Sequence, residues 1–322
     1  MRRPSLALAL LAMLLPGPTF AEDYPNRAMT LVVPFTAGGI ADAGGRVVAK
    51  ALSSLLGQPV VVENKAGAGG IVGAEFVANA KPDGYTLLIA SNGVAVTYPF
   101  LYKKLSFDPQ KNFTAVHGIS ISPLMIAVRA SASYKTLPEL IAYAKKNPGK
   151  VNYATVGQGS AHHMLGELLQ KEAGVTMTQI PYKGATPAFT DFLGGVIDVM
   201  IDYQLQLAPL VEAGKIRALG VAAAERLPTM PDVPTFVEQG YKSVLVSAYS
   251  ILLAPSGTPQ PIIDKLAATV GDLLKDPAIV KYYGDRGSRL MTDYKPSELT
   301  AFLDEERKKT KQMIEQSGLQ PE

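Results

Sequence analysis

Thr30-Leu31-Val32-Val33-Pro34-Phe35-Thr36-Ala37-Gly38-Gly39-Ile40 is the stretch on which the fold turns. Its first half is apolar without the alternation of a half-solvated strand. That predicts a strand over residues 30–35, covered on both faces as in a parallel sheet. A short loop follows, and then Val47, Val48, Ala51, Leu52, Leu55 and Leu56 recur at the i, i+4, i+8 spacing of an amphipathic helix. Gly57, free to take φ > 0, ends that helix. Strand, glycine loop and helix in this order define an α/β layer.

Working outward, the same alternation fills the chain. Residues 60–63 form a second strand, 71–80 a second helix, and Pro82-Asp83-Gly84 turns into a strand over 85–90. The pattern restarts after residue 123. Thr136-Leu137-Pro138-Glu139 opens a helix with a capping box, and the helix runs to Lys146. A strand over 151–156 then leads into Gly157-Gln158-Gly159-Ser160 and a helix carrying Leu165, Leu168 and Leu169, which stops at Gly174. Strands over 176–182, 196–202 and 216–222 follow, separated by helices from Pro187 and through Val211. The end of the chain is helical over 259–275 and 296–317. Residues 117–128 and 244–253 read as two strands that cross between lobes. The expected architecture is therefore two α/β lobes with a ligand cleft between them. Residues 23–121 with 251–322 form a discontinuous first lobe, and 122–250 the second.

Residues 1–21 carry Arg2 and Arg3, an apolar run from Leu6 to Leu15, the helix breakers Pro16, Gly17 and Pro18, and small residues at Thr19 and Ala21. This reads as a cleavable signal peptide. Ten apolar residues are too few to span about 30 Å of hydrocarbon. There is no cysteine, so a lipid anchor on cysteine, disulfides and thiolate metal sites are all excluded. The exported chain is expected to be soluble in the periplasm. Of 31 Lys and Arg, two lie in the leader, which leaves 29 against 28 Asp and Glu. A chain so close to neutral has no general electrostatic hold on nucleic acid.

Two loops repeat one device. Phe35-Thr36-Ala37-Gly38-Gly39 in the first lobe and Gly157-Gln158-Gly159-Ser160 in the second each join a strand to a helix. Such loops sit at the carboxyl ends of the strands, where open α/β sheets bind ligands. Glycine admits close approach of the backbone, and the first helical turn offers unpaired N–H groups and partial positive charge. Facing each other, two such loops grip an anion without lysine or arginine. Read singly, each is also an ordinary tight turn, with Ser160 as an N-cap.

An enzymatic reading finds little. Gly67-Ala68-Gly69-Gly70-Ile71-Val72-Gly73 follows a strand, but the third glycine of a dinucleotide loop falls one residue late, and no acidic residue lies about 20 positions on. Gly-x-Ser-x-Gly is absent around Ser160. His162 and His163 are adjacent on a helix, about 100° apart, and poorly placed to share a metal. No cofactor is expected. An exported hydrolase or dinucleotide-dependent enzyme acting on a small acid is the alternative.

The chain also resembles the Bug-type receptors of tripartite tricarboxylate transporters. The resemblance rests on Tyr24-Pro25, Val33-Pro34-Phe35-Thr36-Ala37-Gly38-Gly39 with Asp42, and Gly57-Gln58-Pro59-Val60-Val61-Val62-Glu63-Asn64. It continues in Gly67-Ala68-Gly69-Gly70, Lys81-Pro82-Asp83-Gly84-Tyr85-Thr86-Leu87, Pro181-Tyr182-Lys183-Gly184 and Leu193-Gly194-Gly195-Val196-Ile197-Asp198-Val199. Gly214-Lys215-Ile216-Arg217-Ala218-Leu219 and Leu253-Ala254-Pro255-Ser256-Gly257-Thr258-Pro259 complete it. The resemblance implies a type II periplasmic-binding-protein fold in which each lobe's strand-to-helix loop holds a ligand carboxylate. On this chain those loops are Thr36 to Gly39 and Gly157 to Ser160, with His162. Asp202 matches an acidic position bordering the ligand, and it also reads as an N-cap for the helix from Gln204. Asp42 either contacts ligand or serves its own helix terminus. Tyr203 and Tyr98 stand where smaller or polar residues are usual, and they read either as aromatic walls suited to a ring-bearing carboxylate or as rings packed in the core. The implied partners are a small carboxylate (a di- or tricarboxylate, amino acid or aromatic acid) and the transmembrane permease subunits of the transporter. The receptor is expected to act as a monomer.

Overall fold

The computed structural model describes residues 24–317. The segment read as a signal peptide lies outside them.

The first α/β unit is β1 (Met29–Val33), α1 (Ile40–Leu56), β2 (Val60–Asn64), α2 (Ile71–Ala78) and β3 (Thr86–Ala90). β1 pairs in parallel with β2 and β3 on either side. Leu31, Val32 and Val33 are fully buried, which is why the opening stretch lacks alternation. Gly57 takes φ +70° and closes α1. After β3 come a π-helical segment at Gly93–Thr97 and a short helix, α3 (Tyr98–Leu101).

β4 (Phe113–Arg129) is a 17-residue strand. Residues 113–123 run antiparallel to β9 (Ser247–Pro255), which in turn pairs antiparallel with β3. From Leu124 on, β4 instead pairs antiparallel with β7 (Val199–Tyr203) on one side and β8 (Ile216–Val221) on the other. β7 continues in parallel to β5 (Asn152–Thr155), and β5 to β6 (Thr178–Pro181). One sheet thus runs through the molecule in two halves joined along β4. Register shifts between Ala115 and His117, between Gly118 and Ser120, and between Ile126 and Ala127 bend and twist that shared strand.

Helices cover both faces of each half. α1 and α8 (Gln260–Leu273) bury Val48, Leu52, Ile263 and Leu266 on one face of the first half, while α2 and α10 (Pro296–Ser317) bury Val77, Leu299 and Leu303 on the other. In the second half, α4 (Leu137–Lys146) and α5 (Ala161–Ala173) pack Leu140, Leu165 and Leu169 against one face. α6 (Ala185–Gly194) and α7 (Gln204–Glu212) pack Phe192 and Leu207 on the other. The far end of α10 crosses over: Ile314 joins the core that α4 and α5 cover.

The capping box at α4 forms with a shifted partner. Thr136 Oγ1 accepts from the Glu139 N–H, but the Glu139 carboxylate reaches the N–H of Lys135 at 2.6 Å. The helix expected from Pro187 starts two residues earlier, at Ala185, with Gly184 before it. α9 (Pro277–Gly284) and β10 (Arg289–Leu290), which pairs with β4, have no counterpart in the sequence reading.

Candidate binding site

A cavity of about 140 Å³ lies where the two halves meet, roomy enough for a small organic acid with bridging water. Four helices begin at its wall: α1 through Gly39, Ile40 and Ala41, α5 through Ser160, Ala161 and His162, α6 through Gly184 and Ala185, and α7 through Tyr203 and Leu205. Only α5 has a side-chain cap. Gly39, Gly184 and Tyr203, which precede the other three, provide none. The first N–H groups of a helix lack intrahelical acceptors, and its N-terminus carries about half a positive charge. Uncapped termini around one cavity create a site for an anion, which can accept the hydrogen bonds a capping oxygen would otherwise accept.

Of the residues singled out in the sequence, Phe35, Thr36, Gly39, Ser160, His162, Asp202 and Tyr203 line the cavity. Ala37, Gly38, Asp42, Gly157, Gln158 and Gly159 do not appear on its wall, and several of these visibly shape the loops instead. The Asp42 carboxylate accepts from the Gly38 N–H at 2.9 Å, from Arg46 Nε at 3.0 Å and from Asn64 Nδ2 at 3.0 Å. Burial alone would raise its pKa. Hydrogen bonds from Arg46, Gly38 and Asn64, with the Arg46 charge, outweigh that and hold the carboxyl below its ordinary range. Gly38, at φ +83°, is the turn that brings its N–H to Asp42. Gly159 likewise donates to His163 Nδ1 at 3.0 Å. Ser160 Oγ donates to the Gly157 carbonyl at 2.7 Å and accepts from the His163 N–H at 3.3 Å, so the hydroxyl works as an N-cap.

Asp202 does not cap α7. One carboxylate oxygen accepts from the adjoining Tyr203 N–H at 2.7 Å, while Oδ2 is buried without a partner. His162 Nε2 stands 3.9 Å from Asp202 Oδ1, too far for a hydrogen bond, and both ring nitrogens lack partners. Tyr203 packs edge-on against the His162 ring. Burial, and then the nearby Asp202 charge, push its phenol far above its ordinary pKa. Tyr98 is also on the wall, its hydroxyl donating to the Gly69 carbonyl. Tyr98 is nonetheless a buried member of the first half's core, the second of the two readings of that position, while Tyr203 is half-buried.

The sequence reading missed several parts of the wall, Ser120 and Ser122 of β4 and Ala248 to Ser250 of β9 among them. Gly184 was noticed but not assigned to the site. It repeats the strand–glycine–helix signal of Gly39, and that signal was sufficient to find it. Asn92 carries no such signal. Its side chain bonds the backbone of Ser247 and Tyr249 at 2.9 and 2.8 Å, tying the return strand to the first half. The segment with Tyr282, Tyr283, Arg286 and Ser288 belongs to the unforeseen α9 and the turn after it.

A two-half α/β protein whose helix N-termini converge on a central cavity has the form of a solute-binding receptor. Comparison with known proteins agrees. The profile of the "Tripartite tricarboxylate transporter family receptor" family, TctC, matches residues 45–319. The UPF0065 protein in the TAR-I ttuE-ttuC' intergenic region of Agrobacterium vitis is 40% identical over 88% of this chain and 82% of its own. Among solved structures, periplasmic binding protein BugD superposes with TM-score 0.88 at 36% identity, over 93% of this chain and all of its own. Rpa4515 of R. palustris with adipate superposes with TM-score 0.89 at 32% identity, covering 93% and 100%. MatC of Rhodopseudomonas palustris with bound malate superposes with TM-score 0.86 at 34% identity, covering 90% and 100%. This chain belongs to the TctC family of tripartite tricarboxylate transporter receptors. It is a solute-binding protein of the periplasmic type and not an enzyme.

Proposed function

We propose that this receptor captures a small dicarboxylate between its two halves and hands it to the permease subunits of a tripartite tricarboxylate-type transporter. The observation that carries the reading is the convergence of four helix N-termini, three of them uncapped, on one cavity. Malate and adipate, bound by similar proteins, set the size class. Hydrogen bonds to a charged group contribute roughly 1.5–3 kcal/mol each. A handful of them, less the cost of closure and desolvation, gives about micromolar affinity, near −8 kcal/mol.

In this reading residues 23–121 with 251–322 and residues 122–250 are the lobes, and β4 and β9 are the hinges. The backbone N–H groups at the start of α1 and α5 take one carboxylate, and the loop residues behind the wall hold those N–H groups in place. Residues 1–21 direct export, and the receptor works as a periplasmic monomer. Calorimetry with a panel of dicarboxylates is expected to give one site per chain for at least one acid and none for the corresponding diamide. Equal affinity for the diamide would reject an anion site.

A further inference from the structure

The cavity wall contains one arginine, Arg286, in the turn between α9 and β10. Its guanidinium lies over the Tyr282 ring, 3.7 Å from the centroid, and its Nη1 donates to the Tyr282 carbonyl at 2.7 Å. Nε is buried and has no partner. None of the ion pairs found among the described residues includes Arg286. With Nη1 committed and one face covered by tyrosine, the edge carrying Nε and Nη2 remains. That edge presents two parallel N–H donors at the spacing of a carboxylate.

The turn is also positioned across the cleft from the second half. A Cβ added at Gly287 would come within 2.0 Å of Gln204 Oε1, so the backbone beside Arg286 abuts the first residue of α7. Ser288 Oγ lies 2.6 Å from Ser122 Oγ, at the middle of the shared strand. The cation therefore sits where the two halves touch, beside an uncapped helix N-terminus.

We propose that Arg286, held by Tyr282, receives the second carboxylate of the ligand and makes the receptor selective for dianionic acids over monocarboxylates. This rests on the carboxylate-receptor reading above and adds to it a residue and a selectivity.

The test is calorimetry on wild type, Arg286→Gln and Arg286→Lys. The tightest acid from a panel containing malate and adipate is compared with its own monoamide, and thermal melts are recorded alongside. Wild type should prefer the diacid. Arg286→Gln should lose about 10- to 100-fold in diacid affinity while the monoamide changes less than about threefold, and Arg286→Lys, without the paired donors, should fall between. Equal losses for diacid and monoamide would assign Arg286 a purely structural role and overturn the proposal, as would an unchanged preference in Arg286→Gln. If no diacid binds wild type, the receptor reading fails, and the subsite with it.

Discussion

In the proposed reading, single residues divide into those that meet the ligand and those that hold the loops. Ser160 belongs to the second group by its bonds, so Ser160→Ala is expected to cost about 1 kcal/mol of stability through the lost cap. Thermal unfolding should record a drop of a few degrees. A loss of affinity with no loss of stability would show instead that the hydroxyl contacts ligand. Asp42 makes a pH-dependent contribution. Its folded pKa lies below the unfolded value, so its stabilisation is present above about pH 4 and disappears as pH falls through the folded pKa. Urea midpoints from pH 3 to 7 should separate wild type from Asp42→Asn at neutral pH and bring them together in acid. A constant gap across that range would contradict the linkage.

At the scale of elements, helices sit close to the sheet because glycines permit it. A Cβ at Gly73 would lie 2.7 Å from Pro34 Cβ and 3.0 Å from the Lys65 carbonyl, so α2 presses directly on the loop after β1. Gly73→Val should cost about 1–3 kcal/mol by overpacking, read as a lower urea midpoint. An unchanged midpoint would mean that α2 is free to shift. What the sequence disclosed follows the same lines. Apolar runs such as Leu31 to Val33 and amphipathic stretches such as residues 47–56 report burial directly, so β1 and α1 were legible to within a few residues. α9 was not, because its eight residues follow a short break at Asp276 and only Ile279 and Tyr283 of it are buried. The wall that its end supplies was hidden for the same reason. Asp42 and Asp202 were legible as special residues but not by role, since that depends on Arg46, Asn64 and His162, which only the fold brings near.

In the proposed reading the whole molecule is a device for closing. Thr36 and Gly184 meet across the cleft: a Cβ at Gly184 would come 2.5 Å from Thr36 Oγ1, and Gly157 similarly abuts Gly69. Gly184 has φ 171°, extended backbone open to any residue, so Gly184→Val should fold normally yet obstruct closure. Small-angle scattering is expected to show the radius of gyration of wild type fall on adding its acid, with a smaller decrease and weaker binding in the variant. No ligand-dependent compaction of wild type would argue against hinged lobes. The central claim, that helix N-termini from both halves hold an ionised carboxylate, is tested most directly by a crystal structure of the receptor with its tightest dicarboxylate. The account predicts carboxylate oxygens within about 3 Å of the first backbone N–H groups of α1 and α5. An acid bound away from both helix starts would contradict it.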